Sequence, residues 1–173
     1  MFIVRLLHLL ALALWLGGMA VLGAVVAPST FQVLQGREPE AGRVLAAAVF
    51  GTALDRFQLI AYGCGAVVLV TLWLMARARP RASALLPRAL IAAGMLGVSL
   101  YTGLVVYRDV NRVQTKIGID VSPSTLDKTD ARRVRFDALH QRSTTLMQIN
   151  LVGALVLLAW AAREKDPSRS IRG

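Results

Sequence analysis

Apolar positions along this chain gather into long unbroken runs rather than alternating with polar ones. Residues 57–76 (FQLIAYGCGAVVLVTLWLMA) contain no charge, and neither do residues 89–107, 6–26 and 143–162. Each run is close to the roughly 20 residues a helix needs to cross a bilayer with about 30 Å of hydrocarbon. Lipid offers the backbone no hydrogen-bond partner, so each run must satisfy its own amides as a helix. The pattern predicts an all-α fold: a four-helix transmembrane bundle in a single domain over residues 1–173. With extramembrane continuations, the spans cover approximately residues 3–27, 43–77, 87–112 and 126–163.

Breaker residues set the boundaries. Pro28 disfavours helix at Ala27, so span one is expected to end there. A polar turn from Gly36 through Pro39 precedes a helix that resumes at Ala41 and runs through Asp55 and Arg56 into span two. Spans two and three are joined by RARPRASALLPR, residues 77–88, read as a short basic hairpin loop. After span three, YRDVNRVQTKIG continues the helix and stops at Gly118. Pro123 then breaks the chain, Ser124 or Thr125 caps a new helix, and Asp127 falls in its first turn. Segment 108–142 is thus an interfacial or extracytoplasmic helical extension.

Composition agrees with the pattern. Apolar residues make up 55% of the chain and mean hydropathy is +0.56. The net charge of +10, from 20 Lys and Arg against 10 Asp and Glu, would suggest nucleic acid in a soluble chain. Here the arginines stand at span ends and no basic patch with interleaved aromatics occurs, so no nucleic-acid partner is expected. The partners are the lipid bilayer and other membrane proteins or further copies of this chain. The basic loop 77–88 belongs inside by the positive-inside rule. This predicts a multi-pass protein of a bacterial-type inner (plasma) membrane with both termini inside. The first apolar run exceeds the roughly 7–15 residues of a signal-peptide core and is kept as span one. Cys64, the single cysteine, excludes an intrachain disulfide and reads as a buried small apolar residue.

Candidate chemistry rests on few residues. A helix turns about 100° per residue, so His140, Ser143, Met147, Asn150 and Ala154 share one side of span four. Polar groups at membrane depth face the bundle interior. At the outer end, Asp55 and Gln58 of span two reach a depth similar to His140. Two readings stand for Asp55, Gln58, His140, Ser143 and Asn150: interhelical packing bonds, or a polar cavity or proton path open to the outer side. On span one, His8, Leu12, Trp15 and Met19 share a stripe, with Gly17 and Gly18 as helix-packing positions. His8 is a secondary candidate, as a packing histidine or as a ligand or proton carrier. Antiparallel spans hold His8 and His140 at opposite ends, which argues against one haem or metal joining them. Methionines 19, 75, 95 and 147 are scattered one per span and read as filler rather than a copper site. No metal site or cofactor is expected, haem and copper being the rivals, and no catalytic motif appears.

HLLALALWLGGM (residues 8–19), APSTFQVL and FDALHQRSTTLMQINL together resemble the transmembrane protein 205-like family of uncharacterised membrane domains. The span-four part of that resemblance falls on Phe136, His140, Ser143 and Asn150. Span one also resembles copper-resistance D-type and protoporphyrinogen oxidase J-type membrane proteins, which share the His-to-Trp-Gly opening. The first resemblance implies a multi-span protein with no established reaction, and a link to platinum-drug resistance in a eukaryotic member points to export or trafficking. The second implies haem-dependent redox chemistry. The reading reached is a transport or accessory membrane protein without assigned enzymatic activity. A haem-binding redox protein and a structural subunit of a larger complex are the alternatives.

Overall fold

The computed structural model describes residues 1–78, 85–118 and 120–163. Six α-helices follow in order: α1 Phe2–Val21, α2 Ala27–Arg37, α3 Pro39–Ala78, α4 Leu85–Tyr101, α5 Tyr107–Ile117 and α6 Ala131–Arg163. Two π-helical turns, Leu22–Val26 and Thr102–Val106, join α1 to α2 and α4 to α5 without a break. Four continuous rods result, Phe2–Arg37, Pro39–Ala78, Leu85–Ile117 and Ala131–Arg163, each long and apolar enough to cross a membrane. The 40 residues of α3 extend about 60 Å at 1.5 Å per residue, twice the hydrocarbon thickness. The surplus of each rod continues beyond the bilayer.

Around the bundle, α1 packs on α3, α3 on α4, α4 on α6 and α6 back on α1, closing a four-helix ring. Leu12, Trp15, Val68, Ala92, Ala154 and Leu157 at its centre are fully buried. Outside the bundle, α2 folds against the start of α3 and α5 against the start of α6.

Three local outcomes depart from the sequence expectation. Span one does not end at Pro28. Ahead of Pro28 the chain makes a π turn in which the Ala27 amide donates five residues back to the Leu22 carbonyl. Pro28 sits in the first turn of α2, where its missing N–H is tolerated, and the helix continues to Arg37. The chain breaks instead at Glu38, which is extended (φ −140°, ψ 110°) because Pro39 follows it. The second departure concerns the loop 77–88. Leu85 already begins α4, Pro87 sits in its first turn, and Arg88 is buried at 1% exposure. Residues 79–84 of that loop and the tail 164–173 lie outside the described residues.

The last departure is the start of α6. Pro123–Thr125 forms one 3-10 turn, and α6 begins only at Ala131 rather than near 126. Asp127 does not join a first turn. Its Oδ1 accepts the Thr129 amide at 2.8 Å and the Thr129 hydroxyl at 2.6 Å, a local loop that competes with helix. Asp130 is the actual cap, its Oδ1 accepting the Arg132 amide at 2.8 Å. The Arg132 guanidinium adds bonds to both Asp130 oxygens at 3.1 and 2.7 Å, and its hydrogen bonds hold the Asp130 carboxyl down at about 2. Upstream, α5 stops where expected. Gly118 turns with φ +125°, a region open mainly to glycine, and the Gln114 side chain seals the turn by donating to the carbonyls of Gly118 and Val121.

Candidate functional site: a polar pocket inside the bundle

Ser99 on α4 is the hub of the buried polar groups. It is 3% exposed, in the midst of the charge-free run 89–107. From α3, the Gln58 amide donates to its carbonyl oxygen at 2.7 Å. From α6, the Asn150 Nδ2 donates to its hydroxyl at 2.8 Å. Three helices are thereby tied at one level. Such interhelical bonds fix rotation and register where apolar packing alone discriminates weakly.

A small cavity of about 30 Å³ opens beside this hub, lined by Gln58, Ser99, Thr102, Tyr107 and Asn150 among the apolar Trp15, Met19, Phe57 and Met147. That volume suits about one water molecule. The Asn150 Oδ1 is buried and accepts no hydrogen bond among the described residues. The Thr102 hydroxyl donates back to the Val98 carbonyl at 2.8 Å. Both π turns lie at the outer side of this level: Leu22–Val26 follows Met19, and Thr102–Val106 contains one wall. A π turn displaces side chains from the regular 100° progression and is enriched at functional sites. Gly103 in the second π turn lets α3 approach, since a Cβ there would meet Tyr62 Oη and Gln58 Cγ.

Of the five predicted cavity residues, the structure brings Gln58 and Asn150 together through Ser99. Ser143 is half-buried, and its hydroxyl donates to the His140 carbonyl of its own helix at 2.8 Å. His140 and Asp55 are both exposed and neither joins the buried hub, although the Asp55 carboxylate lies near Tyr107, a wall of the pocket. His140 stacks parallel on Phe136, ring centroids 6.3 Å apart, on the part of α6 that extends beyond the bundle. There α5 and the turn Pro123–Thr125 pack on α6, and His140 lies on its exposed side.

The packing positions on span one separate in the same way. Trp15 is fully buried and crosses Gly65, whose added Cβ would come within 3.2 Å of the indole. Gly18 lies directly under the Phe57 ring, whereas Gly17 faces open space.

A second buried polar group sits at the other end. His8 is 1% exposed, and its Nδ1 is 2.9 Å from the Thr71 hydroxyl. Thr71 donates its only proton to its own helix, at 2.8 Å from the Val67 carbonyl and 2.9 Å from that of Val68. Its lone pairs therefore accept, and Nδ1 of His8 is the donor. Arg88 is buried at the same end, three residues into α4. Between the two polar levels lies the dry layer of Leu12, Trp15, Val68 and Leu157. Along the helices, His8 and His140 stand roughly 25 Å apart at 1.5 Å per residue. Among the described residues, no group of three or more His, Cys, Asp or Glu could hold a metal ion.

Sequence reading missed Ser99 and Arg88. Ser99 and Thr102 are three apart and share a helix face, a signal present in the sequence but weak in a serine-tolerant membrane helix. Arg88 follows a proline in an arginine-rich stretch, and nothing local marks it as buried.

Four apolar rods around a polar hub define a multi-span integral membrane protein. A family model described as Domain of unknown function (DUF4149) matches residues 10–118, and the chain belongs to that family. The match spans Trp15, Gly18, Gln58 and Ser99 and ends at the glycine that stops α5. No curated protein and no solved structure matches the chain.

Proposed function

We propose that this is a non-enzymatic membrane protein of the transport or accessory type, whose pocket between Gln58, Ser99 and Asn150 takes one small hydrogen-bond donor, a water or a hydrated proton. The observation that supports this reading is the Asn150 carbonyl oxygen, buried beside a cavity and accepting no bond among the described residues. A buried acceptor left dry costs about 1–3 kcal/mol. A leucine would pack there without that cost, so an asparagine argues for an occupant that donates.

The pocket is narrow in this conformation, with room for about one water. Trp15, Leu12 and Leu157 seal it toward the His8 end, and Phe57 separates it from the lipid. Widening it requires the helices to part, and the π turns beside the pocket are the natural bending points. His140, roughly 15 Å further along α6 than Asn150, serves this reading only as an entrance group. The separation of the histidines supports a mechanism without a haem held by both. The resemblance to the transmembrane protein 205-like family supports the same class, movement of a solute or service to another membrane protein. Arginines flanking spans one, two and three at one end support a plasma-membrane protein of bacterial type with both termini inside.

Proteoliposomes test the transport limb. Proton flux under an imposed pH gradient and osmotic water flux are compared for wild type, Asn150→Leu and protein-free vesicles. Wild type exceeding both others supports transport. Identical rates in all three remove transport and leave the accessory role, which co-purification of a partner would support.

A further inference from the structure

A second concavity opens on the lipid-facing side between α1 and α3. It is a groove of about 570 Å³ walled by Gly18, Val21, Phe57 and Ile60, and it extends along α3 to Val49. Its size falls within the roughly 300–1,000 Å³ typical of ligand sites. On α3, positions 49, 53, 56 and 60 recur at helical spacing and form one stripe. That stripe is apolar except for Arg56.

Arg56 stands at the boundary of the charge-free stretch 57–76, the depth at which hydrocarbon gives way to headgroups. It is exposed, lines the groove, and has no hydrogen bond or ion pair among the described residues. Several other arginines are engaged: Arg77 rests on the Trp73 ring at 4.0 Å, Arg142 on Tyr101 at 5.3 Å, and Arg112 and Arg132 pair with Asp109 and Asp130. Asp55 is the neighbouring residue but points about 100° away and is not part of the groove wall.

We infer that this groove holds one anionic phospholipid, with an acyl chain against Gly18, Phe57 and Ile60 and the phosphate on Arg56. An exposed cation at headgroup depth above an apolar trough matches the two halves of such a lipid. The planar guanidinium fits phosphate oxygens in a bidentate fork. Phe57 gives the site a further consequence, because the same ring forms a wall of both the groove and the Asn150 pocket. A seated chain packs on the partition between pocket and bilayer. The inference is independent of what occupies the pocket itself.

Native mass spectrometry of the full chain, released from nanodiscs of equal phosphatidylglycerol and phosphatidylcholine, tests this. The expected result is one retained phosphatidylglycerol per chain, favoured about fivefold over phosphatidylcholine, the size of effect one basic residue gives at a membrane surface. Arg56→Gln brings that preference close to one with an unchanged helical circular dichroism spectrum, and Ile60→Trp, which fills the trough on the hydrocarbon side of Arg56, removes retention of both lipids. Equal retention of the two lipids by wild type, or an unchanged preference in Arg56→Gln, overturns the inference. So does a lipid-free dimer that crosslinks through cysteines introduced at Val49, which would give the groove to a second copy.

Discussion

The side-chain amide of Asn150 donates to the hydroxyl of Ser99 at 2.8 Å, joining α6 to α4 inside a bundle whose surroundings are otherwise hydrocarbon. The oxygen of the same carboxamide is buried with no hydrogen-bond partner among the described residues, and Asn150 is one of the residues lining a cavity large enough for about one water. One residue therefore fixes a helix pair and offers an acceptor.

The pair is expected to be coupled energetically. Ser99→Ala and Asn150→Ala each destabilise the bundle, and the double variant loses less than the sum. The coupling energy should fall near about 0.6 kcal/mol and no higher than about 1.7 kcal/mol, the mean and the maximum measured for interhelical hydrogen bonds in a membrane protein. Unfolding by a denaturing detergent, read by circular dichroism for the four members of the cycle, checks this. Strict additivity would mean that the bond contributes nothing.

Gly17 and Gly18 are neighbours with opposite requirements. A Cβ at Gly18 runs into the Phe57 ring, while one at Gly17 meets nothing within 4 Å. Gly18→Val should cost about 1–3 kcal/mol through overpacking. Gly17→Ala should be neutral or stabilising by up to about 1 kcal/mol from helix propensity. Thermal denaturation of the two variants in one detergent separates them, and equal effects would contradict the packing described.

His8 donates from Nδ1 because the Thr71 proton is already committed to its own helix. Nitrogen-15 spectra of labelled histidine should therefore show hydrogen on Nδ1 of His8. Thr71→Val removes the acceptor and should cost about 1 kcal/mol. A bare Nδ1 in the wild-type spectrum would reverse the assigned direction of the bond.

Acid should loosen the start of α6 before the bundle itself. The Asp130 carboxyl is held down at about 2 by hydrogen bonds from the Arg132 side chain and amide, and that of Asp127 is lowered chiefly by its bonds from Thr129. A carboxyl depressed in the folded state contributes stability above its unfolded value near 3.9 and loses it as pH falls through the folded value. Protection of the amides in the first turn of α6, their exchange taken relative to the intrinsic rate at each pH, should accordingly fall between about pH 4 and pH 2. Asp130→Asn keeps a capping oxygen but abolishes most of this pH response. Protection that is unchanged across that window would contradict the cap.

The spans were legible because lipid imposes one strong condition, long stretches without charge, and all four helices satisfy it. Gln58 and Asn150 were legible as inward-facing for the same reason: amides at membrane depth need protein partners. His140 misled because it shares a stripe with an inward residue but stands where the rods outrun the membrane and facing outward has no penalty. Asp55, at the membrane boundary, comes near the pocket wall Tyr107 while staying exposed. Pro28 misled because its effect on the preceding residue was counted and its tolerance in the first turn of a helix was not. The Ser99 hub was hidden, since serine is common in membrane helices and only the meeting of three helices singles this one out. Arg88 was hidden by its neighbours, reading as one more loop arginine until the start of α4 carried it inside.

The density around Asn150 in an experimental structure at a resolution that shows ordered water tests the central claim most directly. The expected result is a donor at about 2.7–3.2 Å from Oδ1, enclosed by Gln58, Ser99 and Thr102. A dry pocket filled by surrounding carbon atoms, or an Asn150 side chain turned toward lipid, would contradict it.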